Sequence, residues 1–170
     1  MPVRNILCTL VANYTTMKRA IELLKYPRLM VLENIKDLTI EQVNKVPQGF
    51  KNNIAWNLGH MVAAQEGICY KRSGLQTNIT EDYFNTYKPG TKPERFIDAE
   101  EFELIKHQLF STLEQLDTDQ DAGVFENYGA FVTRYGVELR NIEDAIAFLP
   151  FHDGFHIGYV MSIMKLVNQD

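Results

Sequence analysis

Four runs of the chain set apolar residues three and four positions apart, a period that favours a bundle of amphipathic helices over any sheet. The first lies between Met17 and Leu38, where Ile21, Leu24, Val31, Ile35 and Leu38 recur on one face. Pro27 falls inside it, so a kink or a restart is expected, because proline cannot donate to the carbonyl four residues back. The second run, IAWNLGHMVAAQEGICYKRSG, is capped by Asn52 or Asn53 and closes with Lys71, Arg72 and Gly74. Its stripe of Trp56, Gly59, His60, Ala63 and Gly67 is mostly small, which lets a neighbouring backbone approach. In the third, FELIKHQLFSTLEQL, the residues Phe102, Ile105, Leu109, Leu113 and Leu116 follow Asp98 and Glu101, a pair with capping-box spacing. Asn141 caps the fourth, IEDAIAFLPFHDGFHIGYVMSIMKLVNQ, with Glu143 and Asp144 where the helix dipole favours acid and with Pro150 expected to bend it.

The connections complete the architecture. Thr39 with Gln42 marks a short capped turn. Residues 75–97 carry Asn78, Pro89, Gly90 and Pro93 and read as a long crossing loop, with one helical turn at Glu81–Phe84 that Thr80 can cap. A connection of that length can return the chain to its starting end, so the second and third helices are expected to run parallel. Residues 118–140 are rich in glycine and aromatics and suit either a hairpin or an irregular loop. The expectation is an all-α four-helix bundle with a long crossover between its second and third helices, one domain over residues 1–170.

Composition excludes several classes. With 45% hydrophobic and 23% charged residues the chain is neither disordered nor fibrous. A net charge of −5 with dispersed Lys and Arg gives no footprint for nucleic acid. No stretch approaches the ~20 apolar residues a membrane span needs. Cys8 and Cys69 are too few for a disulfide framework, and NILCTLVANY is short for a secretory signal, so a soluble cytoplasmic protein is expected.

The chemistry concentrates in FHDGFHIG, where His152 and His156 stand four apart and share a helical face. Such a pair often arises by chance, and core packing is the competing reading. His60, alone among small and apolar residues on the second helix, is the candidate third ligand, since bundle cores build metal sites from facing helices. Three ligands leave a position open for water or substrate, as catalytic zinc sites do. Three residues flank this constellation. Asp153 is either an acceptor for a ligand's N–H or an exposed carboxylate, the second being expected. Trp56 either walls a pocket or packs in the core, and Tyr159 either offers a hydroxyl or packs. Gln65 and Glu66 are expected outside the ligand set, His107 lies off the apolar stripe, and no cluster of Arg or Lys marks an anion pocket near the ligands. The Glu of a zinc-protease HExxH motif is absent, since Asp153 follows His152.

The segments IAWNLGHMVAAQE and AIAFLPFHDGFHIGYVMSIMKL resemble the DinB-like superfamily of metal-binding bundles, and the resemblance extends from about Tyr26 to Val167. It implies a four-helix bundle with a long connection after the second helix and a three-histidine site at His60, His152 and His156. It also implies a homodimer and a bound divalent ion such as zinc or nickel. Many relatives follow the last histidine with Gly-Gln, whereas this chain has Gly158 and Tyr159, so no glutamine role carries over. Residues 1–15 have no counterpart and read as an N-terminal extension. Relatives with assigned roles resemble thiol-dependent transferases and metal-dependent hydrolases. The expected function is therefore a divalent-metal-dependent enzyme, either a low-molecular-weight-thiol-dependent S-transferase or a hydrolase, acting on a small molecule. The alternative is a non-catalytic metal-binding or stress-associated protein whose site is structural or vestigial.

Overall fold

Cap residues start each helix where the sequence places them. In the computed structural model, which describes residues 2–168 with side chains from Met17 onward, α1 spans Pro2–Ile35 and α2 spans Ile40–Asn44. Thr39 Oγ1 accepts from the Gln42 amide at 3.3 Å while Gln42 Oε1 accepts from the Thr39 amide at 2.9 Å, the reciprocal box in full. Asn53, of the two candidates, caps α3 (Ile54–Cys69) by accepting from the Trp56 amide at 2.7 Å. A single 3-10 turn at Lys71–Ser73 follows, and Gly74 closes it with a φ of 71°, a left-handed value that suits glycine.

The crossover carries its own helix, α4 (Glu81–Tyr87), capped by Thr80 and longer than the single turn expected. Asp98 caps α5 (Ala99–Asp121), but Glu101 does not reach back to complete a box. Its carboxylate instead accepts from Arg95 at 2.6 and 2.7 Å and from the Tyr87 hydroxyl at 2.9 Å, tying the crossover to α5. A two-stranded hairpin resolves the 118–140 question: β1 (Phe131–Val132) pairs antiparallel with β2 (Glu138–Leu139), Phe131 opposite Leu139. Asn141 then caps α6 (Ile142–Val167). Both α1 and α6 are continuous through their prolines, so Pro27 does not restart its helix. The N-terminal extension expected over residues 1–15 has its side chains outside the described set; the backbone of residues 2–15 belongs to α1.

Two apolar clusters reveal the direction of each helix. One joins Val31 and Ile35 of α1, Ile54–Val62 of α3, Phe102–Leu109 of α5 and Ile157–Val167 of α6. The other joins Met17, Ile21 and Leu24 of α1, Cys69 at the end of α3, Leu113 and Leu116 of α5, and Ile142–Leu149 of α6. Thus α3 and α5 both run from the first cluster to the second, whereas α1 and α6 run the opposite way. The parallel α3/α5 pair is what a long crossover produces, and the bundle is all-α apart from the hairpin. Among the described residues no helix is long and apolar enough to cross a membrane.

Candidate metal centre

The α3 helix delivers His60, and the facing α6 helix delivers His152 and His156. Their ring centroids lie 5.3 Å (His60 to His152), 4.6 Å (His60 to His156) and 4.7 Å (His152 to His156) apart. Each offers one ligand atom within 4.8 Å of the others, and among the described residues no fourth His, Cys, Asp or Glu joins them. All three are buried, at 6%, 6% and 8% exposure. Three imidazoles this close form a group that could hold a metal ion.

Hydrogen bonds decide which nitrogen faces inward. His60 Nδ1 lies 2.6 Å from the Tyr87 carbonyl, and because a carbonyl only accepts, Nδ1 carries the proton and Nε2 keeps its lone pair. His156 Nδ1 lies 2.8 Å from Asn57 Oδ1. The Asn57 amide cannot be reversed there, since its Nδ2 donates to the Asn53 carbonyl at 2.7 Å. His156 is therefore also an Nδ1–H tautomer presenting Nε2. Behind His152, Nδ1 stands 3.8 Å from Asp153 Oδ1, and both atoms are buried with no hydrogen-bond partner. Oxygen acceptors behind imidazole ligands are the arrangement that orients them in metal proteins.

Electrostatics keep two of the rings neutral. Burial, with smaller repulsions from His152 and Arg134, lowers the His60 pKa to about 4 against the pull of the Tyr87 carbonyl. Burial and the neighbouring histidines lower that of His156 to about 3. Their lone pairs are thus available at neutral pH without competition from protons.

The flanking residues divide. Trp56 stacks on His60 with centroids 4.7 Å apart and planes at 9°, donates to Thr91 Oγ1 at 3.1 Å, and walls a cavity of about 780 Å³ whose floor is the three histidines. Tyr159 lines the same cavity, edge-on to Phe50 at 4.9 Å. Asp153 overturns its expectation. It is 1% exposed rather than solvated, because α6 turns it toward α1, where Arg28 Nε donates to its Oδ2 at 2.7 Å. Burial pushes its carboxyl up, but the Arg28 guanidinium and the neighbouring His152 together hold the pKa below its usual value.

Two further expectations change. The small stripe of α3 receives rings, not a backbone: a Cβ on Gly59 would stand 2.6 Å from the Tyr87 ring, and one on Gly67 would stand 3.2 Å from Phe84. The absence of a basic cluster near the ligands also fails, since Lys51, Lys71, Arg72 and Arg134 all line the cavity. These cations are dispersed in sequence; Lys51 lies before the start of α3, and the hairpin, docked at the other end of that helix, brings Arg134 to the same cavity as Lys71 and Arg72. Gln65 and Glu66 are buried outside the cavity lining, with Glu66 Oε2 accepting from the Asn78 amide at 2.7 Å, and His107 is exposed. Cys69 is a free, buried thiol whose pKa burial drives up, so it supplies no thiolate. Sequence reasoning missed Asn57 and Tyr87. Asn57 was detectable, standing one turn before His60 on the same helix; Tyr87 was not, because only the docking of α4 brings its carbonyl to the ring.

A model of the DinB superfamily matches residues 25–160, most of the chain. The chain belongs to the DinB superfamily. The match begins within α1 and ends within α6, and it contains all three histidines. No curated protein matches the chain closely enough to lend it an activity.

Proposed function

We propose that this DinB superfamily member is a divalent-metal-dependent enzyme in which His60, His152 and His156 hold the ion, zinc or nickel by the chemistry of an all-imidazole donor set. The observation that carries the reading is the convergence of three buried rings, two of them locked by Tyr87 and Asn57 to present Nε2, on the floor of a cavity roomy enough for a small molecule. When bound, a divalent ion with three protein ligands lowers the pKa of a thiol or water at its remaining position and so supplies a nucleophile at neutral pH. The chain contributes the rest. Trp56 stacks against His60, and Tyr159, Phe155 and residues 131–135 of the hairpin line the cavity with it. Either a thiol-dependent S-transferase or a hydrolase fits this geometry; the cavity, and a ligand group of three among the described residues, favour both over a closed structural site.

Elemental analysis of untagged protein should find about one divalent ion per chain in the wild type and none in His60→Ala. Thermal shifts with low-molecular-weight thiols on the metal-loaded form would then select the transferase branch. Absence of stoichiometric metal, with His60→Ala unchanged in every property, would sink the reading.

A further inference from the structure

The cavity wall is unusually positive for this chain. Lys51 precedes α3, Arg72 sits in the 3-10 turn after it, and Arg134 sits in the hairpin turn, so three distant segments each bring a cation to one space. No Asp or Glu lines that space, although the chain has 22 acidic against 17 basic residues. Lys71, also on the wall, is answered by Glu81 at 2.8 Å. Lys51, Arg72 and Arg134 make no ion pair with any described residue.

Arg72 and Arg134 are held in place without being neutralised. The Arg72 guanidinium lies over the Phe131 ring, 4.0 Å from its centroid, and its backbone carbonyl accepts from the Gly129 amide at 2.6 Å. Stacking orders a guanidinium yet leaves its N–H edge for a carboxylate or phosphate. Arg134 rides on a turn closed by Thr133 N to Val137 O at 2.8 Å and Gly136 N to Thr133 O at 2.9 Å. The same cavity is also lined by the apolar rings of Phe84, Phe131, Phe148 and Phe155.

We propose that the cavity selects small organic anions, with an apolar body among the phenylalanine rings, a carboxylate or phosphate group held by Arg134 and Arg72, and the reactive end turned toward the histidines. The proposal rests on the cavity being the substrate chamber of the metal-dependent enzyme described above. An anion neutralises cations that the fold leaves without an ion pair, in the same cavity that the histidines line.

Trp56 is the single tryptophan and lines the cavity, so its fluorescence reports occupancy. The full chain, both metal-free and zinc-loaded, is titrated with phenylacetate, benzylphosphonate and the neutral phenylacetamide. The expected result is that at least one anion binds about tenfold tighter than the amide in both forms, with the preference shrinking as salt rises. Whether the carboxylate or the phosphonate binds tighter identifies the anionic group. Arg134→Gln and Arg72→Gln should each remove most of that preference while leaving the amide's affinity unchanged, which also certifies that the variants are folded. The proposal is overturned if neither anion binds, if the amide binds as well as both, or if the preference survives the double variant. It is equally overturned if the preference exists only with zinc and ignores the arginines, because the anion is then a metal ligand. Failure to load zinc counts against the proposed function alone, since the metal-free titration still reads the charge preference.

Discussion

His152 and Asp153 are neighbours in the chain, both buried, and they meet opposite fates. Asp153 turns to α1 and finds Arg28, the largest of the fully buried side chains, which also donates to the Leu109 carbonyl at 2.5 Å. His152 lines the cavity, where its ligand atom lies within 4.8 Å of those of His60 and His156. The first arrangement answers a buried charge within the chain and couples α1, α5 and α6. The second brings three imidazole ligand atoms together, two of them lone pairs fixed by Tyr87 and Asn57, an arrangement that an external electrophile would satisfy. Buried polar groups satisfied from within belong to the scaffold; those satisfied only from outside mark a site.

Breaking the scaffold pair should have the largest effect. Arg28→Met leaves Asp153 charged and alone in the core and should cost about 3–5 kcal/mol in denaturant unfolding. Its Arg28→Met/Asp153→Leu double variant should recover much of that loss, which separates an unpaired charge from mere loss of packing. At the site the opposite pattern is expected. His60→Ala should leave metal-free protein with a cooperative transition, yet lose the roughly 4 kcal/mol of stabilisation that a metal at a thousandfold its Kd confers. A thermal-shift series with and without zinc reads both quantities.

Gly59→Ala sharpens the comparison because it strikes fold and site together. The added methyl meets the Tyr87 ring, so a stability loss of about 1–3 kcal/mol is expected. The displaced Tyr87 carbonyl should also weaken metal binding about 10-fold to 100-fold, measured by competition with a chelator. If affinity is untouched while stability falls, the Tyr87 carbonyl does not orient His60.

The smallest effect is a pH dependence of the metal-free protein. His60 and His156 have pKa values lowered to about 4 and about 3 in the folded state, against an ordinary value of 6.5. As pH falls below about 6.5 the unfolded chain takes up those protons first, so stability declines from there down toward pH 3 and is flat above. Glu66 acts with the opposite sign. Burial raises its pKa to about 7 from 4.5, so it adds stability at low pH that is lost as pH rises toward 7. Glu66→Gln should therefore make the acid decline steeper between pH 6.5 and 4.5, as followed by melting temperature.

Helix identity was legible because its causes are local. Thr39, Asn53, Thr80, Asp98 and Asn141 cap their helices through contacts within one turn, and apolar spacing marks the buried faces. The long crossover was legible too, as was the histidine triad, since four-residue spacing places two ligands together and His60 stands out on an apolar face. The Arg28–Asp153 pair left a trace that went unused: Arg28 occupies the stripe of Leu24, Val31 and Ile35, and Asp153 that of Leu149 and Ile157. A charge in the middle of an apolar stripe predicts a buried partner.

The sequence by itself thus determined the helices, their caps, their all-α class and three candidate ligands, because caps and apolar spacing act within a few turns and each histidine is marked by its setting on its own helix. Only the tertiary structure decided the tautomers of His60 and His156, the pairing of Asp153 with Arg28, and the placing of Lys51, Arg72 and Arg134 on one cavity. Those depend on which surfaces meet when α4 and the hairpin dock, and contacts between distant segments leave no periodic mark in the chain.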